Sequence, residues 1–189
     1  MRVRSAVVAA VAAVGIGTPA QADQPAALGP LGPLAGLAVQ RILLADKVAA
    51  AKFGTTQPID DPVREKQVLD DVAAKSAGLG LPPEAGVRFF RAQIEANKVV
   101  QRGLFERWTA HPDQAPTERP DLAKEVRPRL DRITGQILEQ LVNTRRIRDR
   151  NVRCFVWHVE AEVSADIANR LDALHRKAVT VSLRPVCEP

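Results

Sequence analysis

The chain has 189 residues, 46% of them hydrophobic, with a formal charge of +5, enough for one domain with a real core. With no Tyr, five Phe and two Trp, it has little aromatic material for stacking on bases, so nucleic acid is not an expected partner. Two Cys and three scattered His fall short of a zinc site, which takes about four ligands at short spacing.

Residues 1–22 read as a secretory signal. Arg2 and Arg4 supply positive charge, Ala6 to Ile16 is apolar, and Ala20-Gln21-Ala22 gives the small-x-small pattern before cleavage. The apolar run is too short for a transmembrane anchor, which must cross about 30 Å of hydrocarbon. Cleavage after Ala22 leaves 167 residues (189 minus 22) and a charge of +3, and no later segment is apolar enough to span. The expectation is an exported protein, secreted or periplasmic, with no membrane attachment after processing.

The mature chain, 23–189, opens with a loose Pro-, Gly- and Ala-rich leader. A first helix is predicted from Leu34 to about Phe53, stopped by Gly54, which tolerates the left-handed conformation that terminates helices. Asp61 caps a second, with Pro62 in its first turn, running to about Ala77. Pro82 and Pro83 open a third, along which Val87, Phe90, Ile94, Asn97, Gln101, Leu104 and Trp108 recur at alternating steps of three and four. That is the buried stripe of a long helix. Its two amides need partners, because an unpaired buried amide costs about 1–3 kcal/mol. Either they fix the register of neighbouring helices, or they line a polar cavity.

After a connector with three prolines, Asp121 caps a predicted helix from Leu122 to about Arg150, in which Pro128 marks the first turn or a kink. Its many arginines are expected on a solvated face. Ser164 is expected to cap a last helix through Ile167, Leu171, Leu174 and Ala178, before a tail from Val179 to Pro189. In an exported protein the pair Cys154 and Cys187 is most simply one disulfide, tying that tail back. The fold expected is all-α: a single-domain bundle of about six helices, with a three-helix core over 34–108 and a stapled C-terminal half over 121–189.

Charges sit oddly on this frame. Arg41 and Lys52 are eleven residues apart on an apolar helix, within about 20° of the same face and roughly 16 Å apart. Arg41, then Lys52, then Asp61-x-x-Arg64-Glu65, then Gln101 on the third helix resembles the helical chorismate mutase family. The export signal, the extra C-terminal half and the Cys pair resemble its secreted type. By motif the likeness covers about Leu34 to Arg127.

The resemblance implies a substrate, chorismate, rearranged to prephenate without proton transfer or covalent intermediate, and without metal or organic cofactor. It implies that Arg41 and Arg64 bind carboxylates, that Lys52 reaches the ether oxygen and a carboxylate, and that Gln101 is the second donor to that oxygen. Asn97 stands where the family usually has Ser or Thr on a carboxylate. Asp61 and Glu65 match acidic positions near the substrate hydroxyl. Val68 departs from the pattern, falling where some secreted members have a Gln, so Glu65 would serve the hydroxyl alone. Nothing basic lies between Asp23 and Gln40 to reach into a partner's site. The resemblance to the secreted type implies that the remaining cation comes from the chain's own C-terminal half, from Arg127 or, as runner-up, Arg129. The family also implies a homodimer. A bundle that binds an anionic ligand or a protein partner without turnover is the alternative, but it would not need Lys52, Arg64 and Gln101 together.

Overall fold

A computed structural model describes residues 27–188; the predicted signal lies outside them. Every regular element among these residues is helical: α1 (Gly32–Lys52), α2 (Pro62–Gly78), α3 (Pro83–Ala110), α4 (Arg127–Asn143), α5 (Val152–Asn169) and α6 (Ala173–Leu183). None is long and apolar enough to cross a membrane.

The first three helices start and stop where their punctuation predicts. Past α1, Gly54 adopts a left-handed φ of +69°. At the start of α2, Asp61 accepts from the Arg64 backbone N–H at 3.0 Å, and Pro62 occupies the first turn. Helix α1 is packed between α3, α4, α5 and α6. Its buried positions include Ala35, Ala38, Ala45 and Ala49, small side chains that let neighbours approach closely around Leu34, Val39 and Ile42. Helix α2 covers α3 from the other side. A Cβ on Gly86 would lie 2.1 Å from Ser76 Oγ, so only Gly permits this crossing.

Helix α3 buries more than the predicted stripe. Phe90, Gln101 and Leu104 are buried and Val87, Ile94, Asn97 and Trp108 partly so, but Phe89, Gln93, Ala96 and Val100 form a second buried row. The reason is α6, which packs along that second face. There Gln93, fully buried, donates to the Ser182 carbonyl at 3.0 Å.

The C-terminal half corrects four expectations. The helix predicted to reach Arg150 ends at Asn143, followed by a 3-10 turn over Arg145–Ile147. Arg148 is buried rather than solvated, donating to the Leu141 carbonyl at 2.9 Å and to Thr144 Oγ1 at 3.1 Å. It satisfies the open carbonyl end of α4. Ser164 caps nothing; it lies inside α5, whose cap is Asn151, accepting from the Cys154 N–H at 2.9 Å. Ser164 Oγ instead receives the Leu28 N–H at 2.8 Å, holding the segment before α1 against α5. The last helix is capped by Asp172, and Val179 to Leu183, expected in the tail, complete it. Cys154 and Cys187 are disulfide-bonded, joining the first turn of α5 to the closing 3-10 turn.

One surface is left unpartnered. Val152, Phe155, Val156, Val159, Val163 and Ile167 all lie on α5 and are all exposed.

Candidate active site

A cavity of about 570 Å³ opens between α1, α2, α3 and the start of α4, beside the loop that joins α1 to α2. Its size is that of a small-molecule site. Arg41 and Lys52 line it from α1, Asp61, Arg64 and Glu65 from the start of α2, Asn97 and Gln101 from α3, and Arg127 from α4. All eight residues singled out in the sequence thus meet in one place. Val48, Ile59, Val68, Ile94, Val126 and Leu130 supply apolar wall between them. Arg129 is not among the lining residues.

Arg41 is the most deeply set cation, with 6% of its surface exposed. Its guanidinium lies 5.3 Å from the centre of the Phe90 ring, and Nη1 donates to Thr134 Oγ1 at 3.3 Å. Nε is buried with no partner among the described residues. Burial lowers its pKa to about 10, with Asp131 opposing, so it stays charged at neutral pH. A buried, cationic donor with nothing to bind is costly unless a ligand completes it.

Lys52 donates from Nζ to the Pro58 carbonyl at 2.8 Å, across the α1–α2 loop. Its pKa is pushed down, first by burial and also by Arg127, while Asp61, Asp60 and Glu65 pull it up. Arg64 is exposed, with Nη1 on Gln67 Oε1 at 3.3 Å.

The two amides of the stripe face the same space. Asn97 donates to the Arg41 carbonyl at 3.4 Å, so it does tie α3 to α1. Among the described residues Gln101 reaches only its own helix, donating to Asn97 O at 3.4 Å and Asn97 Oδ1 at 3.3 Å, and its buried Oε1 has no partner there. These are long bonds. Gln101 thus makes no bond to another helix among the described residues, and it lines the cavity.

Arg127 is set by an unusual turn. Asp121 Oδ1 accepts from the N–H groups of Ala123 and Lys124, and Glu125 Oε1 accepts from Asp121 N, a reciprocal cap. Pro128 has no N–H to give to the Lys124 carbonyl, and the Arg127 N–H reaches back five residues to Leu122 O. The resulting π-turn over Leu122–Val126 is the widened geometry often found at functional sites.

The lining residues that escape a reading of the sequence include Thr134, Asp131, Lys98 and the pair Asp71 and Lys75. Lys98 is buried and forms ion pairs with Glu65 and Glu95 at 2.9 Å and Asp60 at 3.3 Å. Burial pushes its pKa down, but the three carboxylates outweigh this and raise it. On its own helix it meets only Glu95; the packing of α2 and the loop before it on α3 supplies Glu65 and Asp60. In all, six cations and four carboxylates line the cavity, leaving it two positive charges in excess.

Comparison with known proteins agrees with this architecture. Residues 34–102 match the family described as chorismate mutase type II. The chain is 38% identical over 135 residues to the secreted chorismate mutase of Mycolicibacterium smegmatis, across 71% of this chain and 72% of that one. It is 27% identical over 158 residues to the secreted chorismate mutase of Mycobacterium tuberculosis, across 84% and 78% of the two chains. Among solved structures, the chorismate mutase of Burkholderia phymatum superposes with a TM-score of 0.80 at 32% identity, covering 85% of this chain and 97% of that one. The helical order, the cavity's residues and these likenesses lead to one conclusion: the chain belongs to the type II chorismate mutase family.

Proposed function

We propose that this cavity converts chorismate to prephenate in an exported enzyme, and that the eight residues first read from the sequence do the work. In the rearrangement an ether C–O bond breaks as a C–C bond forms within one molecule, and negative charge grows on the ether oxygen. The protein's task is to hold a compact, chair-like conformer and stabilise that charge. Arg41 and Arg64 take the carboxylates, with Asn97 as an additional donor and Arg127 as the closing cation. Lys52 and Gln101 donate to the ether oxygen; the Lys52 ammonium has three N–H donors, of which the Pro58 carbonyl takes one. Asp61 and Glu65 serve the hydroxyl. The two positive charges in excess suit a dianion. The observation that carries the reading is the buried Arg41 guanidinium, whose Nε lacks a partner in a cavity it shares with Lys52 and Gln101.

The test is loss of chorismate absorbance with prephenate identified as product. Binding without product would make the protein a non-catalytic binder of the same anion. The domain division belongs to the same proposal: residues 1–22 are removed on export and 23–189 fold as one unit. Mass spectrometry of the exported protein should find Asp23 first; a chain beginning at Met1 or well beyond Pro33 contradicts it.

The partner besides substrate is a second copy. The exposed apolar face of α5 amounts to roughly 600 Å², approaching the about 800 Å² per partner of a standard interface. Sedimentation should give a dimer that Val159→Lys dissociates, and a natural chain that sediments as a monomer ends this part of the reading.

A further inference from the structure

Of the charged side chains on α3, Lys98 is the one that lines the cavity. An ammonium has three N–H donors. Three carboxylate oxygens sit on this one: Glu65 Oε1 and Glu95 Oε1 at 2.9 Å and Asp60 Oδ1 at 3.3 Å. Protein carboxylates ring the ammonium, so Lys98 is not placed to bind substrate itself.

Two of its partners belong to another part of the fold. Glu65 is in the first turn of α2 and Asp60 in the loop before it. Lys98 therefore pins this segment to α3 at two points. Arg102, one turn further along α3, repeats the attachment with Nη2 at 2.8 Å from both Asp60 oxygens. Between the two pinned carboxylates lie Asp61, which caps α2, and Arg64, whose N–H it receives. Lys98 holds Glu65 through Oε1, which leaves Oε2 available, and Val68 one turn after Arg64 offers no polar group of its own.

We infer that Lys98 is a positioning residue. It fixes the Glu65 carboxylate so that its second oxygen accepts the substrate's ring hydroxyl, and it anchors the α1–α2 loop and the first turn of α2 against α3. This rests on the chorismate mutase reading of the cavity, and the chemistry it adds is recognition of the hydroxyl.

The test compares Lys98→Met in the natural chain and in a Glu65→Gln chain, with chorismate and with a chorismate analogue lacking the ring hydroxyl. With chorismate, Lys98→Met should raise KM about tenfold, the worth of one hydrogen bond to a charged group. With the deoxy analogue, and in the Glu65→Gln background, the same change should cost several-fold less, leaving only what the loosened segment costs through Arg64. Independently of turnover, amide exchange over residues 59–66 should quicken about tenfold in Lys98→Met while α5 and α6 keep their rates. Equal losses on both substrates, additive losses with Glu65→Gln, or unchanged exchange over 59–66 overturns the inference. If the natural chain turns over neither substrate, the chorismate mutase reading fails separately, and the exchange measurement still decides the tether. Lys98→Gln carries the same comparisons should the Met variant not fold.

Discussion

Replacing Gln101 by Ala separates a catalytic amide from a structural one, because the two roles move different measurements. Gln101 is 4% exposed, and its Nε2 bonds at 3.3–3.4 Å go only to Asn97 on the same helix. Bonds at the long end of the range contribute no more than about 0.5–1 kcal/mol net. Against that, truncation removes the buried, unpartnered Oε1, whose desolvation costs on the order of 1–3 kcal/mol. The lost side-chain contacts offset part of this gain, so the net change in stability stays within about 1 kcal/mol. For a domain of this size that moves Tm by about 2–4 °C at most. The rate should fall far more, by about 10²–10³, or roughly 3–4 kcal/mol of transition-state stabilisation. Calorimetry alongside chorismate turnover reads both. Gln101→Glu adds a pH signature: a carboxyl donates only when protonated and as a carboxylate repels the developing charge, so activity should rise as pH falls. A Tm drop of ten degrees or more with kcat nearly intact, or a Gln101→Glu chain equally active at acid and neutral pH, would refute the reasoning.

Other expectations follow from the same coordinates. His175 on α6 bonds through Nδ1 to Asp172 at 2.6 Å and through Nε2 to Asp46 on α1 at 2.9 Å, which raises its pKa to about 9 from 6.5, the Asp46 bond being the largest cause. A raised folded pKa gives stability that is complete below about 6.5 and is lost as pH climbs through 9. Tm should therefore decline across that window, by the equivalent of about 1–2 kcal/mol after solvent screening of the half-exposed carboxylates, and His175→Ala should flatten the decline. Reducing the Cys154–Cys187 bond, whose partners are 33 residues apart, should cost roughly 3–4 kcal/mol in thermal unfolding while turnover persists below the lowered Tm. Arg41 and Arg127 line one cavity in one chain, so mixing Arg41→Ala and Arg127→Ala chains under subunit exchange should restore nothing. Recovered activity would show that the two meet across an interface.

The parts of this molecule that were legible in the sequence are those whose signals are local. Asp61-Pro62, Pro83 and Gly54 state helix ends through backbone chemistry that acts within a few residues. Arg41 and Lys52 share a face by periodicity alone, and the cavity gathers them. The C-terminal half was harder because its punctuation is ambiguous. Ser164 and Asp172 are both good capping residues, and α5 ends on Arg170, a left-handed residue at φ 50° that is not Gly and so gives no warning. The arginine run conceals Arg148, whose burial depends on carbonyls that exist only once α4 has ended. Lys98 and the second row on α3 were invisible for a different reason. Glu95 aside, their partners come from α2, the loop before it and α6, and no spacing within α3 encodes those.

The central claim is that the cavity between α1, α2, α3 and α4 carries out the rearrangement through its buried cations. Turnover of chorismate by residues 23–189 beside the Arg41→Met variant tests it most directly. Asp131, the carboxylate that acts on Arg41, is exposed, so removing the guanidinium strands no buried charge and the variant should melt near the natural chain. The account predicts prephenate formation by the natural chain and a loss of at least about 10² in kcat/KM for Arg41→Met. A natural chain that leaves chorismate unchanged, or a folded Arg41→Met chain that is as active, would contradict it.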